Sequence, residues 1–313
     1  MNDAAADRAA IVRAAAETIA KGSNSFAAAA RLFDAETRAD AIMLYAWCRH
    51  CDDVVDGQTL GHGATGASGV PERLAELERE TRRAFAGERV GQPAFRALQL
   101  VAERRGIPLA LALDHLDGFR MDVDGRVYES VPELLDYCYH VAGVVGAMMA
   151  LIMGTHDPDV LRRACDLGLA FQLTNIARDI VPDAEVGRIY LPRQWLREVG
   201  LTPETLADPA ARGKLAVLAK RLVDLAEPYY ASARIGVDAL PRRSSWAIAT
   251  ALGVYREIGL KVVARGAAAW DERVSTSGAE KLRNVAGAGL VALKPRRAAS
   301  PPRPAALWTH PAA

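Results

Sequence analysis

LYAWCRHCDDVVD, Leu44 to Asp56, is the stretch on which the fold and the chemistry both turn. On a helix that advances about 100° per residue, Tyr45, Arg49, Asp52, Asp53 and Asp56 share one face. The remaining surface carries Met43, Leu44, Trp47, Cys48, Cys51, Val54 and Val55, with only His50 among them. Such a helix is buried on most sides and points its polar stripe into an internal cleft. Three carboxylates crowded there repel one another and lose hydration, and a lone Arg49 cannot neutralise them. A divalent cation can. The bland alternative is a solvated acidic helix end. Cys48-x-x-Cys51 with His50 between also invites a zinc or redox reading. Against it, these residues sit mid-helix among apolar neighbours, no second pair matches them, and Cys138 and His140 are too isolated to complete a site.

About 120 residues later CDLGLAFQLTNIARDIVPD, Cys165 to Asp183, repeats the design. Gly168, Gln172, Asn175, Asp179 and Asp183 form one stripe, while Leu169, Phe171, Leu173, Ile176, Ala177 and Ile180 occupy the other faces. Gly168 in that line lets a backbone or a ligand approach closely. An amide oxygen and two carboxylates at four-residue intervals supply the oxygen ligands that magnesium prefers, and Arg178 is placed to meet a diphosphate. A polar seam between core helices, with Asn and Gln bonded to neighbours, is the alternative. Pro182 removes a backbone donor, so the helix is expected to kink or end there, which makes Asp183 the least secure ligand.

The 313 residues are half apolar, rich in Ala, Leu, Arg and Glu, and show no long apolar–polar alternation, which predicts helix throughout. Helical patterns run over 4–20, 35–56, 71–85, 94–104, 131–153, 158–181, 213–235 and 243–270. The glycine-rich stretch Gly57 to Val70 reads as a mobile flap or an ordinary surface loop. The tail 295–313, proline-rich and basic, is expected to be disordered, which leaves one domain over 1–294. Scattered charge, 39 basic against 38 acidic residues, gives no footprint for nucleic acid. Four cysteines and an N-terminus without a signal-peptide pattern fit the reducing cytoplasm. Tyr137 to Thr155 is uncharged and nearly long enough to span a bilayer, but its tyrosines, His140 and three glycines suit a tightly packed core helix better.

With GSNSF (22–26), YAWCRHCDDVVD (45–56), YCYHVAGVVG (137–146), FQLTNIARDI (171–180), GRIYLP (187–192) and a late helix bearing Tyr255, the chain resembles the squalene and phytoene synthase family, the head-to-head branch of isoprenoid synthases, and within it the bacterial phytoene synthases. The resemblance covers nearly the whole chain. It implies an all-α, isoprenoid synthase-type single-domain helical bundle around a central cavity. It further implies a prenyltransferase that binds magnesium, or manganese in its place, through Asp52, Asp56, Asn175, Asp179 and Asp183. Arg49, Gln172, Arg178, Tyr190, Tyr255 and Arg273 match positions that contact diphosphate or line the cavity; Tyr45, Tyr190 and Tyr255 are candidates to stabilise a cation or move a proton, with hydrogen-bonded core tyrosines as the alternative; and Ser25 and Phe26 match a segment near the second prenyl site. The implied reaction joins two geranylgeranyl diphosphates through prephytoene diphosphate to phytoene, without NADPH. Farnesyl diphosphate condensed to dehydrosqualene or squalene, and a non-catalytic relative, are the alternatives. Lipid substrate and product add an expectation of peripheral membrane contact.

Overall fold

Apolar periodicity sets where helices form, and a few local devices set where they stop. The computed structural model describes residues 2–22, 29–56, 69–293 and 301–311, and among these no strand occurs. The helices are α1 (Asn2–Gly22), α2 (Ala35–Asp56), α3 (Val70–Phe85), α4 (Pro93–Arg105), α5 (Leu109–Val123), α6 (Val131–Ile152), α7 (Pro158–Glu185), α8 (Arg193–Glu198), α9 (Arg212–Val237), α10 (Arg242–Arg265) and α11 (Gly278–Ala292). Every segment expected from the sequence is present. Helices α5, α8 and α11 were not expected: α5 follows Pro108 with no side-chain cap, and α11 contains Gly287 and Gly289. A readable start signal for α11 does exist. Ser277 Oγ accepts the Glu280 amide at 3.3 Å while the Ser277 amide donates to Glu280 Oε2 at 2.7 Å, a reciprocal capping box.

The chain forms two compact units, 1–124 with 147–156 and 125–146 with 157–313. One boundary falls inside α6, so no linker in the sequence marks the division. The flap predicted over 57–70 lies outside the described residues except for Gly69 and Val70.

In the first unit α2 is the central element. Met43, Leu44, Trp47 and Cys51 are buried, with α1, α4 and α5 packed around them. Asp40, fully buried, accepts from Arg8 at 2.9 Å and Arg105 at 2.6 Å, which ties α1 and α4 to α2. A buried carboxylate persists only when so paired.

In the second unit α7 runs beside α9, and its N-terminal half lies directly on α6. The contact depends on glycine. A Cβ on Gly168 would come within 2.3 Å of the Ala142 carbonyl oxygen, and one on Gly146 within 2.2 Å of the Ala164 carbonyl oxygen. At this crossing α6 takes a π-turn, Tyr139–Gly143. Most of the apolar stretch of α6 is buried in the protein, in keeping with a core helix. Of the two outcomes expected at Pro182, a kink or an end, the helix does not take the second: α7 continues to Glu185. Pro182 is exposed, on the side where water can replace a missing backbone bond.

The expectation of a disordered tail fails for residues 301–311. Arg303 clasps the buried Asp166 through Nε at 2.9 Å and Nη2 at 2.7 Å. Arg163, buried on α7, donates to Asp159 at 2.9 Å and to the Pro301 carbonyl at 2.5 Å. Leu307 is buried and the Trp308 amide donates to Tyr229 Oη at 3.3 Å. Composition favours disorder, but two buried charges on α7 require partners, and the strap supplies a guanidinium to Asp166 and a carbonyl to Arg163.

Gly168→Ala is expected to lower stability by about 1–3 kcal/mol or more, because backbone rather than a pliant side chain must move. Urea denaturation followed by circular dichroism measures it; a neutral effect would contradict the backbone contact.

Candidate active site

On α2 the polar face comes out as the periodicity requires. Tyr45, Arg49, Asp52 and Asp53 are half-buried, between core positions that are closed to solvent. Arg49 Nη1 donates to Asp52 Oδ2 at 2.5 Å, and its guanidinium lies 6.0 Å from the Tyr45 ring centroid, a cation–π distance. Burial works against the Arg49 charge, but Asp52, Tyr45 and Asp53 together outweigh it and the pKa is raised. Asp53 takes another setting. With His50, Gln92, Ala46 and Ala97 it lines a cavity of about 290 Å³ between α1, α2 and α4. His50 stands edge-on to Phe95 at 5.5 Å, and burial depresses its pKa. Asp56 closes the last turn of α2. The cysteines are neutral structural groups: burial raises the Cys48 thiol to about 12 and the Cys51 thiol well above its usual value.

On α7 the second stripe is equally clear. Gln172, Asn175, Arg178, Asp179 and Asp183 are half-buried, whereas Leu173, Thr174, Ile176, Ala177, Ile180 and Val181 are buried. Arg178 folds onto Asp179, its Nε donating to Oδ1 at 2.9 Å and its Nη2 to Oδ2. Burial opposes the guanidinium charge, yet Asp179, with Tyr255 and Asp183, raises its pKa. Arg273, on the loop before α11, reaches the same carboxylate at 3.5 Å with most of its side chain in solvent. Beyond Pro182 the Asp183 carbonyl accepts the Arg188 amide at 2.8 Å, and Gly187, at φ 80°, reverses the chain. Only a residue free of a Cβ penalty takes that turn easily.

The turn delivers Tyr190, which stacks on Tyr137 at 4.8 Å, with Tyr128 5.3 Å from Tyr137. Behind the α7 stripe Tyr255 stacks on Phe171 at 4.1 Å. Tyr230 shares a buried 2.8 Å hydrogen bond with Thr174, and burial raises its pKa. The structure thus groups Tyr45, Arg49 and Asp52 in the first unit. In the second it groups Arg178, Asp179 and Arg273, and separately Tyr137 with Tyr190 and Phe171 with Tyr255. Ser25 and Phe26 lie outside the described residues. Sequence reasoning missed Tyr128, Thr174 and Tyr230, which carry no signal beyond falling on buried faces of their elements.

A helical protein with an oxygen-donor stripe on each of two largely buried helices, each stripe accompanied by arginine, has the makings of a diphosphate-handling enzyme. The chain belongs to the squalene/phytoene synthase family, which it matches over residues 19–280. It is 57% identical over 299 residues to the 15-cis-phytoene synthase of Pantoea ananas, covering 95% of this chain and 97% of that protein. With the 15-cis-phytoene synthase of Paracoccus sp. it shares 46% over 301 residues, 96% of this chain and 98% of that one. Among solved structures, a dehydrosqualene synthase in complex with ligand superposes with a TM-score of 0.81 at 28% identity, over 90% of this chain and 96% of that one. The all-α fold is therefore the isoprenoid synthase type.

Thr174→Val is expected to leave the Tyr230 hydroxyl without its buried partner and to cost about 1–3 kcal/mol. Urea titration checks this. A change within error would show that the pair does not support the α7 stripe.

Proposed function

We propose that the protein condenses two geranylgeranyl diphosphates head to head, forming prephytoene diphosphate and then phytoene. Two diphosphates and two protons leave overall. The observation that carries this reading is 54–57% identity, over 93–95% of the chain, to proteins named phytoene synthase. Because the second half ends in proton loss, no hydride donor is required; squalene formation would need NADPH.

The donor chemistry fits magnesium. Asp52, Asp56, Asn175, Asp179 and Asp183 offer carboxylate and amide oxygens, and those whose side chains are described are half-exposed, open enough for an ion that keeps several waters. When bound, the ion would neutralise the departing diphosphate. Arg49 and Arg178 already stand against Asp52 and Asp179, so each can turn its remaining donors to diphosphate oxygens. Phe171 and Tyr255 present stacked ring faces beside the α7 stripe, suited to excluding water from an allylic cation and to facing its charge. Tyr190 offers a hydroxyl near the same helix for proton transfer.

Incubation with geranylgeranyl or farnesyl diphosphate and magnesium, with and without NADPH, followed by hydrocarbon analysis, decides the substrate. Phytoene from the C20 substrate, independent of NADPH, is expected; dehydrosqualene or squalene from the C15 substrate as main product would overturn the chain-length assignment. Asp52→Ala and Asp179→Ala should retain helical circular dichroism and lose about 10²–10³-fold or more in turnover. Full activity in either would sink the reading of these carboxylates as magnesium ligands.

We also infer a cytoplasmic enzyme with peripheral membrane contact. Both substrate and product are lipids, and α11 leaves Leu282 and Leu290 exposed, followed by exposed Leu293. Exposed leucines beside Lys281 and Arg283 suit the surface of an anionic bilayer. Sedimentation with anionic vesicles should carry the protein down, and a Leu282→Gln, Leu290→Gln double variant should remain in solution. No association of the parent protein would contradict this.

A further inference from the structure

The strap 301–311 ends on a group of side chains that the proposed diphosphate chemistry does not use. We propose that Asp136, His140 and His310 form a binding site for a late first-row divalent cation, zinc foremost, that fastens the strap to α6.

Their donor atoms all lie within 4.8 Å of one another. Asp136 Oδ1 is 3.6 Å from His310 Nε2 and 3.9 Å from His140 Nε2. A tetrahedral zinc ion with bonds of about 2.0–2.2 Å sets its ligand atoms roughly 3.3–3.6 Å apart, so the two imidazoles need to draw only a few tenths of an ångström closer to Asp136 Oδ1. Both measured separations exceed a hydrogen bond and approach that ligand spacing.

The rings and the carboxylate are held toward this arrangement by contacts on their other sides. The His310 ring lies flat on Tyr139, with centroids 4.2 Å apart and planes 4° from parallel. His140 stands edge-on to both Tyr139 and His310, each at 5.2 Å. Arg126 Nη1 binds Asp136 Oδ2 at 3.0 Å, leaving Oδ1 to face the two imidazoles. A metal-bound carboxylate commonly has its second oxygen fixed in this way. Asp136 and His140 are four residues apart on α6, one helical turn, and His140 sits in the π-turn. The side chains of His140 and His310 are 9% and 15% exposed, which leaves room for a fourth, water ligand without opening the site widely.

Two imidazoles and one carboxylate select zinc, nickel or copper over magnesium. The site is therefore chemically distinct from the all-oxygen stripes on α2 and α7. Its consequence is mechanical. Arg303 and Leu307 anchor the strap to its unit, and an ion at His310 would close its far end. Metal binding available only to the folded chain adds directly to its stability.

The test uses purified full-length protein stripped with chelator, titrated with zinc against a chromophoric chelator and, separately, with cobalt followed in the visible region. The parent protein should bind one zinc per chain that millimolar magnesium does not displace, give tetrahedral-type cobalt bands, and gain thermal stability with zinc. His310→Ala, which alters only the strap, should weaken zinc binding by about a hundredfold or more and abolish the stabilisation. His310→Cys should restore zinc binding and add a thiolate-to-cobalt charge-transfer band, which separates ligation from a packing effect. Equal zinc affinity in the parent and His310→Ala, or an octahedral cobalt spectrum, would overturn the site.

Discussion

The close crossing of α7 over α6 sets the terms for the rest of the second unit. Because Gly168 carries no side chain, the α7 backbone rests on the Ala142 carbonyl and the Gly143 backbone, and the helix is held on that side without play. Its other apolar faces pack on α9 and α10. Only one line of positions is left for polar groups, and Gln172, Asn175, Asp179 and Asp183 fill it. A helix so confined can hold oxygen donors in fixed register, which a surface helix with mobile carboxylates cannot do.

Electrostatics follow from that confinement. Half-buried carboxylates without partners would be costly, so Asp179 is met by Arg178 and Arg273, and Asp52 by Arg49. These pairs have a dual character. They hold the stripe together when nothing is bound, and in the function proposed above the same guanidinium groups would meet the anionic diphosphate oxygens. Deeper in each unit the same rule serves structure alone, through Asp40 with Arg8 and Arg105, and Asp166 with Arg303.

What could be read from the sequence divides along physical lines. The two acidic stripes were legible because helical period alone sorts Asp52 and Asp179 from Trp47 and Ile176, and burial follows the sorting. Gly168 was legible as a point of close approach. Pro182 left a kink or an end open, since its effect on a helix depends on whether the freed carbonyl meets water, which composition does not reveal. The strap misled for a related reason. Proline-rich, basic text reads as disorder, and the partner that orders it, Asp166, lies 137 residues away from Arg303. Tyr230 and Thr174 were invisible for the same cause, being a side-chain pair made across 56 residues.

The claim on which the rest hangs is that the carboxylate stripes bind diphosphate through a divalent ion. Calorimetric titration with a thio analogue of geranylgeranyl diphosphate, which cannot lose its diphosphate, measures this without turnover. Binding should be tight with magnesium and fall by about a hundredfold or more when the ion is withheld by chelator. Equal affinity with and without the ion would contradict it.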